Sequence, residues 1–144
     1  MGKVVGIYLR PSARTPVRRV DSTEALVDQG LEGDHAGAGP RQVTLIEREK
    51  WEEACDELSR ELDSGIRRAN IVVEGVALQS AIGKQLQLGE ALLEIVGELR
   101  PCKLMDDSAP GLQEALSPDC RGGVYGRVVQ GGPGKVGASV RIPT

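Results

Sequence analysis

Short apolar segments bounded by glycine or proline are the feature that most limits the folds open to this chain. Nineteen glycines and eight prolines interrupt 144 residues, and such residues favour turns between short strands over long helices. Many short strands favour a closed or nearly closed barrel, because closure leaves no unpaired strand edges. The sequence therefore predicts a mostly β, barrel-like fold with one main α-helix and short helical segments.

The predicted strands are runs of Val, Leu and Ile flanked by turn-forming residues. They cover residues 4–9, 17–20, 25–27, 43–46, 70–73, 86–88, 91–99, 124–129 and 139–142. The last strand is expected to pair with an earlier one, because its apolar side chains would otherwise lie on an exposed edge. A loop over residues 106–110 and a glycine-rich turn over residues 131–134 are predicted between the later elements.

One long segment has a helical period. Its apolar residues recur at steps of three, one, three and four, which places them on one helix face. They are Trp51, Ala54, Cys55, Leu58 and Leu62. The sequence predicts a helix over residues 47–62 with Cys55 as a core residue, and a shorter helix over residues 111–116.

Composition narrows the class of protein. The length fits a single domain over residues 1–144. With no Phe, one Trp, two Tyr and a net charge of -3, the chain lacks the stacking platforms and basic stripe of nucleic-acid-binding proteins. No apolar run approaches the roughly 18 residues of a membrane span, and the N-terminus has no signal-peptide core. We expect a cytoplasmic protein with no nucleic-acid or membrane partner.

The three cysteines, Cys55, Cys102 and Cys120, form no Cys-x-x-Cys pair, and the chain has one histidine. This pattern argues against a disulfide scaffold and against a structural zinc site. A bridge between Cys102 and Cys120 stays open, although a reducing cytoplasm disfavours it.

Cys102 stands out because Arg100 and Lys103 lie on either side of it, and Pro101 directly precedes it. Nearby cations favour the thiolate, which is the form that attacks, carries sulfur or binds a soft metal. Arg100 and Lys103 are also candidates to bind an anion, or to lie along the barrel rim. The alternative for Cys102 is a small buried hydrophobe.

A glycine-rich loop over residues 30–39 contains His35 beside Asp34, shortly before Arg41. Glycines allow close backbone approach, and successive amides can bind an anion. The alternative for His35 is a structural or exposed residue. An imidazole could also activate Cys102 as in a cysteine hydrolase, but no cysteine-protease signature surrounds this thiol.

A second cationic loop places Arg121 before two glycines. An arginine in this setting is a candidate phosphate or oxyanion clamp. The alternative is a solvated arginine in a turn.

Taken in order, these segments resemble the MOSC domain, the family named for the C-terminal part of molybdenum cofactor sulfurase. The resemblance spans residues 4–142 and is that of a small stand-alone bacterial-type member, without the aminotransferase-like sulfurase domain, which uses pyridoxal phosphate, or a ferredoxin domain. It rests on Gly30-Leu31-Glu32-Gly33-Asp34-His35, Arg41-Gln42-Val43-Thr44-Leu45-Ile46, Asn70-Ile71-Val72-Val73-Glu74-Gly75, Gly83 with Leu88-Gly89, Arg100-Pro101-Cys102, Arg121-Gly122-Gly123-Val124-Tyr125-Gly126-Arg127-Val128, and residues 137–142.

The chain departs from the family pattern at two positions. Many members have a residue between the Asp and the His, whereas Asp34 and His35 are adjacent. The closing strand often begins Gly-Asp, whereas Ala138 follows Gly137 here. The first departure bears on the direction of the His35 side chain.

The resemblance implies binding of the molybdenum cofactor, molybdopterin. Cys102 would carry persulfide sulfur or ligate molybdenum. The residues implied around the pterin phosphate, together with neighbouring candidates, are His35, Asp34, Arg41, Arg121 and Lys103.

The implied partners are a cysteine desulfurase or a molybdoenzyme. Three functions stay open. They are sulfur carriage or cofactor holding at Cys102, a cofactor-dependent reductase of N-hydroxylated compounds, and a non-catalytic cofactor-binding module. The reductase would need a separate electron donor, because the chain has no iron-sulfur cysteine set.

Overall fold

The computed structural model describes residues 2–13, 15–35 and 39–143. Within these residues the chain forms eleven strands, three α-helices and short 3-10 turns. The strands are β1 (Gly2–Leu9), β2 (Arg18–Val20), β3 (Ser22–Leu26), β4 (Gly30–Leu31), β5 (Val43–Glu47), β6 (Ile71–Glu74), β7 (Gln85–Leu88), β8 (Ala91–Glu98), β9 (Val124–Gln130), β10 (Gly132–Lys135) and β11 (Ser139–Arg141). The helices are α1 (Arg48–Glu57), α2 (Leu104–Ser108) and α3 (Leu112–Leu116).

Seven of the strands close into a barrel in the order β1, β11, β7, β8, β9, β5, β6 and back to β1. Every neighbouring pair is antiparallel except β5 with β6, which run parallel. The last strand closes the barrel by pairing Val140 with Gly2 of β1. The predicted barrel-like fold and the pairing of the last strand are confirmed.

The barrel interior is filled by aliphatic side chains, as expected for a chain without Phe. Ile7, Leu45, Leu86, Leu93 and Ile95 are fully buried there. A second apolar cluster lies outside the barrel wall, where α3 packs against both α1 and α2. Three segments therefore meet between the barrel and the helices. They are the end of β8, the loop before α2 and the loop before β9.

Helix α1 ends at Glu57, so the predicted helix over residues 47–62 was too long. Ser59 has a left-handed φ of 53°, and the Arg60 amide donates to the Cys55 carbonyl at 3.1 Å. This is the hydrogen bond of a Schellman-type helix end. The Trp51 indole donates to the Leu62 carbonyl at 2.9 Å, which keeps the segment after α1 against the helix.

Three elements lie where the sequence predicted turns or loops, and the first is β4, which falls within the predicted loop over residues 30–39 and pairs with β3. Helix α2 overlaps the predicted loop over residues 106–110, because Met105 and Ala109 are buried against the helical cluster. Strand β10 replaces the predicted turn over residues 131–134 and pairs with β3. Pro133 is tolerated there because β10 is an edge strand of the three-stranded sheet β10-β3-β4. No helix in the described part of the chain is long and apolar enough to cross a bilayer.

Candidate functional site

Cys102 lies in the short segment between the end of β8 and the start of α2. Leu99 anchors this segment in the core, whereas Cys102 is exposed. All three cysteines are free thiols, and Cys55 and Cys120 are buried. The bridge between Cys102 and Cys120 that the sequence left open is not formed, and Cys102 is the accessible thiol.

Arg67, a residue that the sequence did not single out, lies buried beneath the Cys102 segment. Its Nε donates to the Gly122 carbonyl at 3.0 Å, and its Nη2 donates to the Leu99 carbonyl at 2.9 Å. The guanidinium thus ties the end of β8 to the loop before β9. Its Nη1 lies 4.0 Å from the Met105 sulfur of α2, so all three segments around the thiol contact one side chain.

The charges of this site act on one another. Burial lowers the pKa of Arg67 to about 10, the charge of Cys102 opposes that shift, and Arg41 adds to it. Cys102 and Arg41 therefore each lie within electrostatic range of Arg67. The exposed Arg41 guanidinium is held 5.0 Å from the centre of the Tyr125 ring, a cation–π contact.

Two glycines allow the loop before β9 to approach the Cys102 segment. A Cβ at Gly122 would lie 2.6 Å from the Leu99 carbonyl oxygen and 3.0 Å from Cδ of Pro101. Gly123 has a left-handed φ of +99°, and a Cβ there would lie 2.1 Å from the Leu45 carbonyl oxygen. Both positions exclude any side chain, so the loop before β9 packs against the Cys102 segment at Gly122 and against β5 at Gly123.

Arg121 faces helix α1. Its guanidinium forms ion pairs with Glu53 and Glu57 and donates to the Ala115 carbonyl at 3.0 Å. Its predicted role in the cofactor pocket stays a prediction, and these contacts would have to give way for the guanidinium to bind an anion.

The Cys120 thiol donates to the Gly123 carbonyl at 3.4 Å. Burial, followed by the charge of Glu98, raises the pKa of Cys120 to about 11. At neutral pH this cysteine is therefore a thiol that helps to shape the loop before β9.

Asp34 and His35 lie within the predicted anion-binding loop over residues 30–39, of which residues 36–38 fall outside the described residues. The Asp34 carboxylate accepts hydrogen bonds from the Arg10 amide at 2.7 Å, from the Arg10 guanidinium and from Asn70 Nδ2 at 3.1 Å. Its side chain is fully buried, so these contacts anchor the loop to β1 and to the start of β6. The His35 amide donates to the Arg10 carbonyl at 2.8 Å, and the residue is exposed.

Lys103 directly follows the thiol and is exposed. Its ammonium group forms no ion pair with the described residues. Lys103 therefore adjoins Cys102 in the chain, and the unpredicted Arg67 donates a hydrogen bond to the Cys102 segment at Leu99. Arg41 lies within electrostatic range of Arg67. Cofactor contacts by Asp34, His35, Arg41, Lys103 and Arg121 all stay predictions.

The profile of the MOSC domain matches residues 32–141. This chain belongs to the MOSC domain family. The MOSC domain is associated with the molybdenum cofactor, so family membership relates this protein to molybdenum-cofactor biochemistry. A search of the curated proteins found no significant match to the sequence.

Solved structures share the fold of this MOSC domain. The YUAD protein from Bacillus subtilis superposes with a TM-score of 0.78 over 97% of this chain and 94% of its own, at 18% identity. YiiM from Geobacillus stearothermophilus gives a TM-score of 0.79 over 100% of this chain and 76% of its own, at 16% identity. YiiM from Escherichia coli gives 0.73 over 99% of this chain and 70% of its own, at 17% identity. At these identities the likeness is one of fold.

Proposed function

We propose that this MOSC domain is a molybdenum-cofactor-associated protein in which the Cys102 sulfur ligates the metal or carries a sulfane sulfur. The observation that carries the proposal is the exposure of Cys102 on a segment that the buried Arg67 ties to the loop before β9 through the Leu99 and Gly122 carbonyls. A thiol kept for packing would be buried, as Cys55 and Cys120 are.

The residues around Cys102 fit such a cofactor. A thiolate is a soft ligand that suits molybdenum and sulfane sulfur, and Arg41 and Lys103 are exposed cations that suit a phosphate. Gly122 lets the loop before β9 pack closely against Pro101, the residue next to the thiol. When bound, the cofactor supplies a redox-active metal.

Carriage of sulfur would use the thiolate of Cys102 as a nucleophile. It attacks the outer sulfur of a persulfide on a donor such as a cysteine desulfurase. The sulfur–sulfur bond of the donor breaks, the donor leaves as a thiolate, and Cys102 gains one sulfur as its own persulfide. No oxidant or reductant is consumed, because the sulfane sulfur moves between two thiols.

The cofactor-binding form is tested by the metal and pterin content of the protein purified from its native host. Molybdenum analysis and pterin fluorescence are expected to show both in the wild type. The Cys102→Ser variant is expected to lose molybdenum, whereas the Cys55→Ala variant, which changes a buried thiol outside the site, retains it. A wild type without molybdenum and pterin would reject this form.

The sulfur-carrying form is tested by mass spectrometry after incubation with a cysteine desulfurase and cysteine. The peptide that contains Cys102 is expected to gain one sulfur atom, and the gain is expected to reverse with a thiol reductant. Absence of the added sulfur would reject the carrier form.

The two alternative functions give different results with the same protein. A reductase would reduce N-hydroxylated compounds when supplied with an electron-donor partner, and Cys102→Ser would lose that activity. A non-catalytic module would bind the cofactor through Cys102 without turnover.

A further inference from the structure

Arg67 differs from the other largely buried arginines of the described chain. Arg10 is paired with the buried carboxylate of Asp34, and Arg121 is paired with Glu53 and Glu57. Arg67 is only 7% exposed, yet its guanidinium forms no ion pair with a carboxylate among the described residues. Burying a charge without a partner is costly, so this cation needs an anion or a structural reason to be retained.

The hydrogen bonds of Arg67 explain in part why this buried cation is retained. A guanidinium has five N–H donors, and its printed oxygen partners are the carbonyls of Leu99 and Gly122. The third contact, with the sulfur of Met105 at 4.0 Å, is to a weak acceptor. These neutral partners fix the position of the guanidinium, but they leave its charge uncompensated.

Cys102 is the group that can compensate this charge. Its thiolate favours the charged form of Arg67, whereas Arg41 acts in the opposite sense. Of these two cations, Arg67 is the one that donates a hydrogen bond to the Leu99 carbonyl of the Cys102 segment, so it places positive potential near the exposed sulfur. Because one of these cations is buried, solvent and salt screen its field less than that of a surface charge.

We propose that Arg67 is the fixed counter-ion of the Cys102 site, so that the exposed sulfur receives negatively charged groups in preference to neutral ones. Arg67 is also a positioning residue, because its two carbonyl partners lie on the segments either side of the thiol. The identity of the natural anion, such as a persulfide or an anionic cofactor group, rests on the proposed function. The charge preference itself is a property of the protein without any ligand.

The test compares two alkylating reagents of similar size, anionic iodoacetate and neutral iodoacetamide, at Cys102. Both react with the thiolate, so a change in the thiolate fraction cancels in the ratio of their rates. Peptide mass spectrometry reports modification of Cys102 alone. The expected ratio of iodoacetate to iodoacetamide rates is higher for wild-type Cys102 than for N-acetylcysteine amide, a neutral model thiol.

Substitutions test whether the preference of Cys102 for the anionic reagent comes from Arg67. Arg67→Met is expected to lower the ratio by about threefold to tenfold, the effect of removing one charge near an exposed sulfur at the effective dielectric of a protein surface. Arg67→Lys keeps the charge and should restore most of the ratio. Arg68→Met is the matched control, because Arg68 donates to the Ser12 and Thr15 carbonyls and is expected to leave the ratio unchanged.

The wild-type comparison needs no variant, so it holds even if Arg67→Met fails to fold. A wild-type ratio no higher than that of the model thiol would overturn the inference, and so would a folded Arg67→Met protein with an unchanged ratio. Because Arg100 and Lys103 also flank Cys102, the supporting result is a raised wild-type ratio that falls in Arg67→Met and returns in Arg67→Lys. This result supports the inference even when molybdenum binding and sulfur loading both fail, which separates its outcome from that of the proposed function.

Discussion

Asn70 donates from Nδ2 to Oδ1 of Asp34 at 3.1 Å, and this contact joins the glycine-rich loop to the start of β6. The same amide nitrogen donates to the Tyr8 carbonyl of β1, while Asn70 Oδ1 accepts from the Thr44 amide and hydroxyl of β5. Three sequence motifs that resemble the family, those with Asp34, Thr44 and Asn70, therefore meet in one buried network. This network holds the glycine-rich loop against the barrel strands β1, β5 and β6.

Substitution Asn70→Ala is expected to lower the free energy of unfolding by about 2 to 4 kcal/mol, because it leaves the Thr44 amide and the Tyr8 carbonyl without this partner in a buried site. Denaturant unfolding monitored by circular dichroism measures the change. Gln79→Ala, at an exposed position, serves as the control and is expected to change stability by less than about 0.5 kcal/mol. Equal effects of the two substitutions would contradict the network.

The three thiols are expected to react differently with iodoacetamide in the folded protein near pH 8. Cys102 is exposed, whereas burial raises the pKa of both Cys55 and Cys120, the latter to about 11. Peptide mass spectrometry should find rapid modification at Cys102, with Cys55 and Cys120 modified only after addition of denaturant. Modification of Cys120 as fast as Cys102 would show that the loop before β9 is not closed as described.

The buried carboxyl of Glu47 makes the free energy of unfolding depend on pH in a known direction. Burial raises the pKa of its carboxyl above the usual 4.5, so the folded state binds this proton more tightly than the unfolded state. The stabilisation from protonation is fully present below pH 4.5 and is lost as the pH rises through the folded-state pKa. The Glu47→Gln variant lacks this loss, and its amide oxygen can still accept the Leu78 amide hydrogen bond.

The difference in free energy of unfolding, variant minus wild type, is therefore expected to increase between pH 4 and pH 7. Denaturant unfolding at each pH measures it. Glu52→Gln, on the exposed face of α1, is the control and should show a difference that stays nearly constant. A Glu47→Gln difference that falls with rising pH would have the wrong sign for a buried carboxyl.

Gly123→Ala is expected to destabilise the protein far more than Gly83→Ala. Both glycines have a left-handed φ, but the new Cβ would lie 2.1 Å from the Leu45 carbonyl oxygen at position 123 and have nothing within 4 Å at position 83. Gly83→Ala should cost about 1 kcal/mol from backbone strain, and Gly123→Ala at least about 2 kcal/mol more from the collision. Thermal unfolding of both variants measures the difference, and similar losses would contradict the close approach.

Much of the barrel could be predicted from the sequence, because alternating turn residues and aliphatic runs fix where strands begin and end. The end of α1 could not be predicted, because the left-handed residue at this helix end is Ser59 and not the glycine that usually marks such an end. Strand β10 was missed because Gly132 and Pro133 are typical of turns, and only pairing with β3 makes them a strand.

The site was predictable in part. Flanking cations marked Cys102, and the structure confirms that this thiol is exposed. Arg67 carries no local signal that separates it from Arg68, since burial of one arginine and not the other is decided by tertiary packing. For Asp34, the sequence shows the carboxylate but not the Arg10 and Asn70 partners that surround it.

The most direct test of the central claim is X-ray absorption at the molybdenum edge of the cofactor-loaded protein, for the wild type and for Cys102→Ser. If Cys102 ligates the metal, the number of sulfur ligands around molybdenum should fall by one in the variant, or the metal should be lost. Identical sulfur coordination in two proteins that retain molybdenum equally would contradict ligation by Cys102.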